Sequence, residues 1–281
     1  MRGITERRAI RVVFCLALVA ACTAFLAACG SDDEGSQALT FEYTGEGEEA
    51  AFTLPEEAET GEAEITLVNE ADGPADLQLI RVEGQHSSEE VVDAFNEVGG
   101  GKPFPDWFFA GGGLGTTESG EEATVTQVLE PGTYYALNTE GPVDPKTVEG
   151  IEVSGDESDA SLEADATIAA HEYGFETGGI VAGENELVFE NTGAQPHHVI
   201  ALKMVGDSTI GDVETFFKTE GGKPPVEEGP SVGTAVIEGG EDQLAEFDLE
   251  PGRYALVCFI TDRQGGPPHV FKGMIEELDV K

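Results

Sequence analysis

Among five histidines, four cysteines and three methionines in 281 residues, four side chains stand where they could do chemistry together. His197 follows Pro196 at the start of an apolar segment, and Cys258 follows the run Tyr254-Ala255-Leu256-Val257. His269 lies eleven residues beyond Cys258, and Met274 five beyond that. Two imidazoles, one thiolate and a weak axial thioether are what a copper ion that passes single electrons requires. Soft sulfur and borderline nitrogen suit both of its oxidation states, so little rearrangement accompanies transfer. Each residue alone has an ordinary alternative: a lone buried Cys is an inert small hydrophobe, Met fills core gaps, and a His beside two prolines is a loop residue. The combination singles the group out, because a chain so poor in His and Met places them around one thiol.

That thiol is itself informative. Arg2, Arg7, Arg8 and Arg11 precede the uncharged stretch Val12–Ala28, the pattern of an export signal. The stretch is at the short limit for a membrane-spanning helix. It ends in Leu26-Ala27-Ala28-Cys29-Gly30, which resembles the lipobox of bacterial lipoproteins. The resemblance implies cleavage after residue 28, acylation of Cys29, and a lipid-anchored protein outside the cytoplasm, on the cell membrane. Arg7-Arg8 leaves export by the general or the twin-arginine route open. Cys15 and Cys22 depart with the leader, so Cys258 remains as the single free thiol and has no internal disulfide partner.

The elements that must position these residues occur twice. GEAEITLVNEADGPADLQLIRVEG, from Gly61, lies over GENELVFENTGAQPHHVIALKMVG, from Gly183, at an offset of 122. EEVVDAFNEVGGGKP mirrors GDVETFFKTEGGKP, and LEPGTYYAL mirrors LEPGRYALV with the offset reduced to 120. Two tandem copies of one domain follow, residues 39–154 and 160–281, joined by the polar run SGDESDAS and preceded by an acidic linker at 29–38. Short alternating segments such as EITLVN, LVFEN, TVTQVL, LAEFDL, YALVCFI and IEELDV predict strands separated by Gly-Pro turns. Amphipathic stretches at Ser88–Val98 and Ile210–Thr219 predict one helix per copy. The fold expected is all-β: two β-sandwiches, each with a short helical insertion.

On these residues the chain resembles the cupredoxins, the plastocyanin-like blue copper proteins. NTGAQPHHV (191–199) is similar to their first-histidine motif, and YALVCFITDRQGGPPHVFKGM (254–274) to their Cys, His and Met motif. The closing HVFKGM is similar to the form found in copper nitrite reductases. The resemblance implies the Greek-key sandwich in both copies, one type 1 copper, and ligand roles for His197, Cys258, His269 and Met274. The spacer between Cys258 and His269 is longer than in single-domain members, a departure that costs little, since doubling a loop costs about 0.6 kcal/mol. Pro267-Pro268 would restrict the loop before His269. The first copy chooses between His197 and His198. Its Ala75, Leu77 and Leu79 alternate with Asp76 and Gln78, and the offset places His197 on the apolar face. At the metal positions that copy has Ala75 and Asn138 and a shorter loop without His or Met, so it cannot hold the same ion. Spacing, packing against its sibling or docking a partner remain its roles. KPFPDWFFAGGGLG, with the single tryptophan Trp107, is expected to pack in the core, with an exposed apolar patch for docking as the alternative. His86 and His171 are expected to be structural.

The formal net charge of −42, or −45 after loss of four Arg and one Glu with the leader, excludes nucleic acid and anionic lipid headgroups as partners. It keeps the chain soluble and would steer a basic redox partner. Contact with the membrane is expected through the N-terminal lipid only. Catalysis is not expected. Two-domain copper oxidases and nitrite reductases need further histidines, and Val257 stands where the nitrite reductases have one beside the ligand cysteine. The function expected is one-electron transfer at the cell envelope, with copper storage or delivery, or a metal-free scaffold, as alternatives.

Overall fold

The computed structural model describes residues 36–281 apart from 220, 221 and 230. The leader and Cys29 lie outside the described residues. In the first copy the chain forms β1 (Gln37–Thr44), β2 (Ala51–Thr53), β3 (Ala58–Glu59), β4 (Gly61–Asn69), β5 (Ala75–Val82), α1 (Ser88–Gly99), β6 (Phe108–Thr117), β7 (Glu122–Leu129), β8 (Gly132–Leu137) and β9 (Gly150–Ser154). The second copy follows with β10 (Ala166–His171), β11 (Gly174–Gly178), β12 (Gly183–Asn191), β13 (Ile200–Lys203), α2 (Ile210–Thr219), β14 (Val232–Gly233), β15 (Asp242–Leu249), β16 (Gly252–Val257) and β17 (Ile275–Val280). β1 therefore begins inside the segment read as a linker.

Alternation in the sequence becomes alternation in burial. Along β4, Ala63, Ile65 and Leu67 are buried while Glu62 and Glu64 are exposed, the period-2 pattern of a sheet with one wet face. Each helix starts on a side-chain cap. Ser87 Oγ accepts the Glu90 N–H while the Glu90 carboxylate accepts the Ser87 N–H, and Thr209 and Asp212 make the same exchange. α1 buries Val91, Val92 and Ala94 against Ile80, Phe104 and Phe108. α2 buries Val213 and lays Phe217 on Phe259, directly beyond Cys258.

Two-sheet sandwiches result in both copies. β2-β1-β4-β7 packs on β3-β9-β8-β5-β6 through Phe41, Leu67, Leu79 and Ala136, and β11-β10-β12-β15 packs on β14-β13-β16-β17 through Phe189, Phe247, Val199 and Leu256.

The sequence did not announce how the copies meet. β7 pairs antiparallel with β15, making one continuous eight-stranded sheet. Val125 lies opposite Ala245 in this register, and these residues correspond under the 120-residue offset. The two copies thus pair through the same strand about a local two-fold axis. A second bridge, Leu114 to Thr234, joins another corresponding pair. Gly115 permits that approach: a Cβ there would fall 2.3 Å from the Gly233 carbonyl oxygen. Gln78, expected to face solvent, is 6 % exposed. Its amide donates to the Val236 carbonyl of the other copy and accepts the Val236 N–H, so the contact between copies covers it.

Candidate metal centre

His197, Cys258 and His269 come together at one end of the second sandwich, all fully buried. Cys258 Sγ lies 3.7 Å from His197 Nδ1 and 3.6 Å from His269 Nδ1, and the two Nδ1 atoms are 3.1 Å apart. A triangle with these sides has its centre about 2.0 Å from each corner, the length of a bond from nitrogen to a small transition-metal ion and about 0.3 Å short of one from sulfur. Met274 is fully buried in the same cluster as Cys258. The residues present therefore fit copper: a buried His-Cys-His set with a methionine beside it is the donor set of a type 1 site.

Local structure places each donor. Asn191 Nδ2 donates to the carbonyls of Gln195 and Ile237, and its Oδ1 accepts the Gly193 N–H, which shapes the turn that delivers His197. The His197 backbone then exchanges hydrogen bonds with Ile237 at 3.0 and 2.9 Å. Asn69 makes the same turn in the first copy, with Ala71 where the second has Gly193, so the asparagine of both repeats is a device of backbone geometry. His198 points away from the cluster, and its Nε2 accepts the Phe259 N–H at 2.9 Å. Beyond Cys258 the loop folds back: His269 N–H donates to the Ile260 carbonyl, and Val270 N–H to that of Cys258. His269–Lys272 form a 3₁₀ turn that ends at Gly273, whose φ of +100° suits glycine. The Met274 N–H closes the reversal on the His269 carbonyl.

Burial sets the protonation states. The desolvated thiol of Cys258 is pushed up to about 12, so it becomes a thiolate only by exchanging its proton for a cation. Burial, and then the neighbouring His269, bring His197 down to about 4, and burial also lowers His269. Both imidazoles are therefore neutral at neutral pH, with a lone pair available to a metal. The His269 tautomer is fixed from outside, because Nε2 donates to Asp262 Oδ1 at 3.0 Å and leaves Nδ1 facing the cluster. Asp262 also accepts from the Tyr173 hydroxyl at 3.0 Å and from the Lys272 ammonium. Burial raises Asp262, but these three donors outweigh it and hold the carboxyl below its usual range. His197 turns its Nε2 towards Glu172, 4.0 Å away, whose carboxylate accepts the N–H groups of Ala194 and Gln195.

His269 has no exposed surface; Asp262, Tyr173 and Lys272 cover its outer nitrogen. One expectation needs correction. The segment around Trp107 forms part of a contact between the copies as well as core. Phe104 and Phe108 are buried, while Trp107 is half-buried and stacks on His86 at 3.7 Å. Asp262, Tyr173 and Glu172 were invisible to sequence reasoning because the chain holds 56 acids and no spacing marks these out.

No family model matches the chain, and no curated protein does. Among solved structures it is similar to auracyanin from Roseiflexus castenholzii, at 22 % identity over 41 % of this chain and 94 % of that one, with a TM-score of 0.29. It is also similar to a multicopper oxidase, at 12 % identity over 88 % of both chains and a TM-score of 0.24. A copper-containing nitrite reductase from Thermus scotoductus matches at 15 % identity over 88 % of this chain and 62 % of that one, with a TM-score of 0.23. The assignment of the site rests on its own geometry.

Proposed function

We propose that this chain is a one-electron carrier of the cell envelope, with one copper in its second copy. The observation that carries the reading is the convergence of Cys258 Sγ and two neutral imidazole Nδ1 atoms in a fully buried pocket. A copper ion bound there would supply a reversible one-electron couple. Cys258 would give the short sulfur bond, His197 and His269 would fix the plane, and Met274 would tune the potential. Burial of both imidazoles and the tether of His269 to Asp262 favour a rigid shell, which suits electron transfer better than metal delivery.

We read the protein as a carrier and not a catalyst. The three histidines outside the centre are engaged: His198 accepts from Phe259, His86 stacks on Trp107, and His171 Nδ1 lies 3.0 Å from the Gly174 carbonyl. The same reading takes Cys29 as the lipidated anchor and a basic protein as the redox partner, steered by the negative field. Phe271, 41 % exposed two residues beyond His269, offers that partner an apolar contact beside the centre.

Cupric ion added to the soluble portion should give an intense blue thiolate-to-copper band at one ion per chain. Cys258→Ser should abolish it. A colourless protein with a reduced Cys258 would overturn the reading. Rapid surrender of bound copper to a chelator, without reversible voltammetry, would favour a delivery protein.

A further inference from the structure

The first copy holds no metal ligands, yet it grips the loop that carries them. The grip centres on Arg263, midway between Cys258 and His269. Its Nη1 pairs with Glu238 at 2.7 Å, and its Nη2 donates to the carbonyls of Phe108 at 3.1 Å and Pro105 at 3.4 Å. The guanidinium lies 5.3 Å from the ring centre of Phe104 and 4.9 Å from that of Phe109. Its own N–H donates to Gln195 Oε1 at 2.8 Å, and its carbonyl accepts the Phe104 N–H at 2.8 Å. Glu238 is 8 % exposed and also accepts the Ala110 N–H, so the ion pair is anchored in both copies. Three residues on, the Gly266 N–H donates to the Gly101 carbonyl. The backbones approach so closely there that a Cβ on Gly265 would meet the Gly101 oxygen at 2.6 Å.

We infer that Arg263 is a positioning residue, and that the first copy serves as the fixed surface holding the Cys258–His269 loop in its metal-ready shape before any ion arrives. A spacer of this length has many conformations in isolation, and pinning its midpoint removes most of them. Only arginine meets the demand, because a planar fork must satisfy a carboxylate and two carbonyls while stacking between aromatic rings. Gln195, two residues before His197, links the grip to the other ligand: its side chain accepts from Arg263, and its carbonyl is held by Asn191.

The inference extends the copper reading, and its test has an arm that needs no metal. In the metal-free protein, Cys258 has no exposed surface, so a small aromatic disulfide reagent reaches it only when the loop opens. Arg263→Met, which keeps the stem and removes the fork, should raise the labelling rate about tenfold or more. Arg263→Lys should raise it less, and Val125→Ala, a cavity in the shared sheet far from the loop, should leave it near the parent rate after matching for stability. If Arg263→Met does not fold, Glu238→Gln replaces it and should give an intermediate rate. In the copper-loaded protein, Arg263→Met should alter the electron paramagnetic resonance signature and the potential, whereas Val125→Ala should not. Labelling no faster in Arg263→Met than in Val125→Ala would overturn the inference. A parent that labels as expected yet takes up no copper would overturn only the metal reading.

Discussion

Asp262 accepts hydrogen bonds from His269 Nε2–H and the Lys272 ammonium together, so its removal loosens a ligand and a loop at once. Asp262→Ala should lower copper affinity about 10- to 100-fold, measured by competition with a chelator of known strength. It should also raise the reduction potential, because the carboxylate favours the more highly charged ion. Asp76 carries a different prediction. It occupies the His198 position of the first copy, and its carboxylate accepts the Thr139 N–H as His198 accepts that of Phe259. Burial lifts Asp76 from 3.8 to about 6. A carboxyl that holds its proton more tightly when folded stabilises the native chain most below pH 3.8, and that contribution is lost as pH rises through 6. Asp76→Asn keeps an acceptor for Thr139 and should flatten this dependence. Urea midpoints should show little gain at pH 4 and a gain of at most about 3 kcal/mol at pH 7. The ligand types were legible because they are scarce, and the paired repeat made His197 distinguishable from His198. Asp262 and Asp76 were not, since the fold alone separates them from the surface acids.

The elements themselves were largely written in the sequence. Both helices occur where amphipathic stretches predicted them, Ser88–Gly99 and Ile210–Thr219, and IEELDV is the whole of β17. Periodicity could not show what the polar faces would meet. Gln78 satisfied the pattern of a half-wet strand, and only the juxtaposition of the copies turned that face inward. The glycines of β6 belong to the same juxtaposition. Gly115→Ala should push β6 off β14, because its methyl would stand 2.3 Å from the Gly233 oxygen. A loss of ~1–3 kcal/mol in urea unfolding is expected, the range for overpacked contacts. An unchanged midpoint would mean that the copies approach less closely there.

Across the whole molecule, 56 acids against 14 bases set a self-repulsion that the fold must overcome. Thermal stability should rise as sodium chloride is brought from low to physiological concentration, before any specific ion effect enters, because screening weakens charge pairs beyond about 8–10 Å. A melting temperature that falls over this range would count against net repulsion as the controlling factor. The tandem repeat was plain from residue correspondences, but not the merging of its sheets. Strand-to-strand joining uses backbone groups, and Val125 and Ala245 are ordinary strand residues that advertise nothing.

The meeting of β7 with its own counterpart has a historical reading. An interface in which a surface contacts its equivalent is one that a single ancestral unit can make with a twin, as in a two-fold homodimer. Duplication and fusion of such a dimer would need only a short connector, and the exposed stretch around Asp156–Asp159 is one. Once both partners were encoded in tandem, selection could treat them separately. On that reading one half would keep metal ligands, and the other, with Ala75 and Asn138 at the corresponding positions, would be free to serve as the wall against which its twin's ligand loop is held.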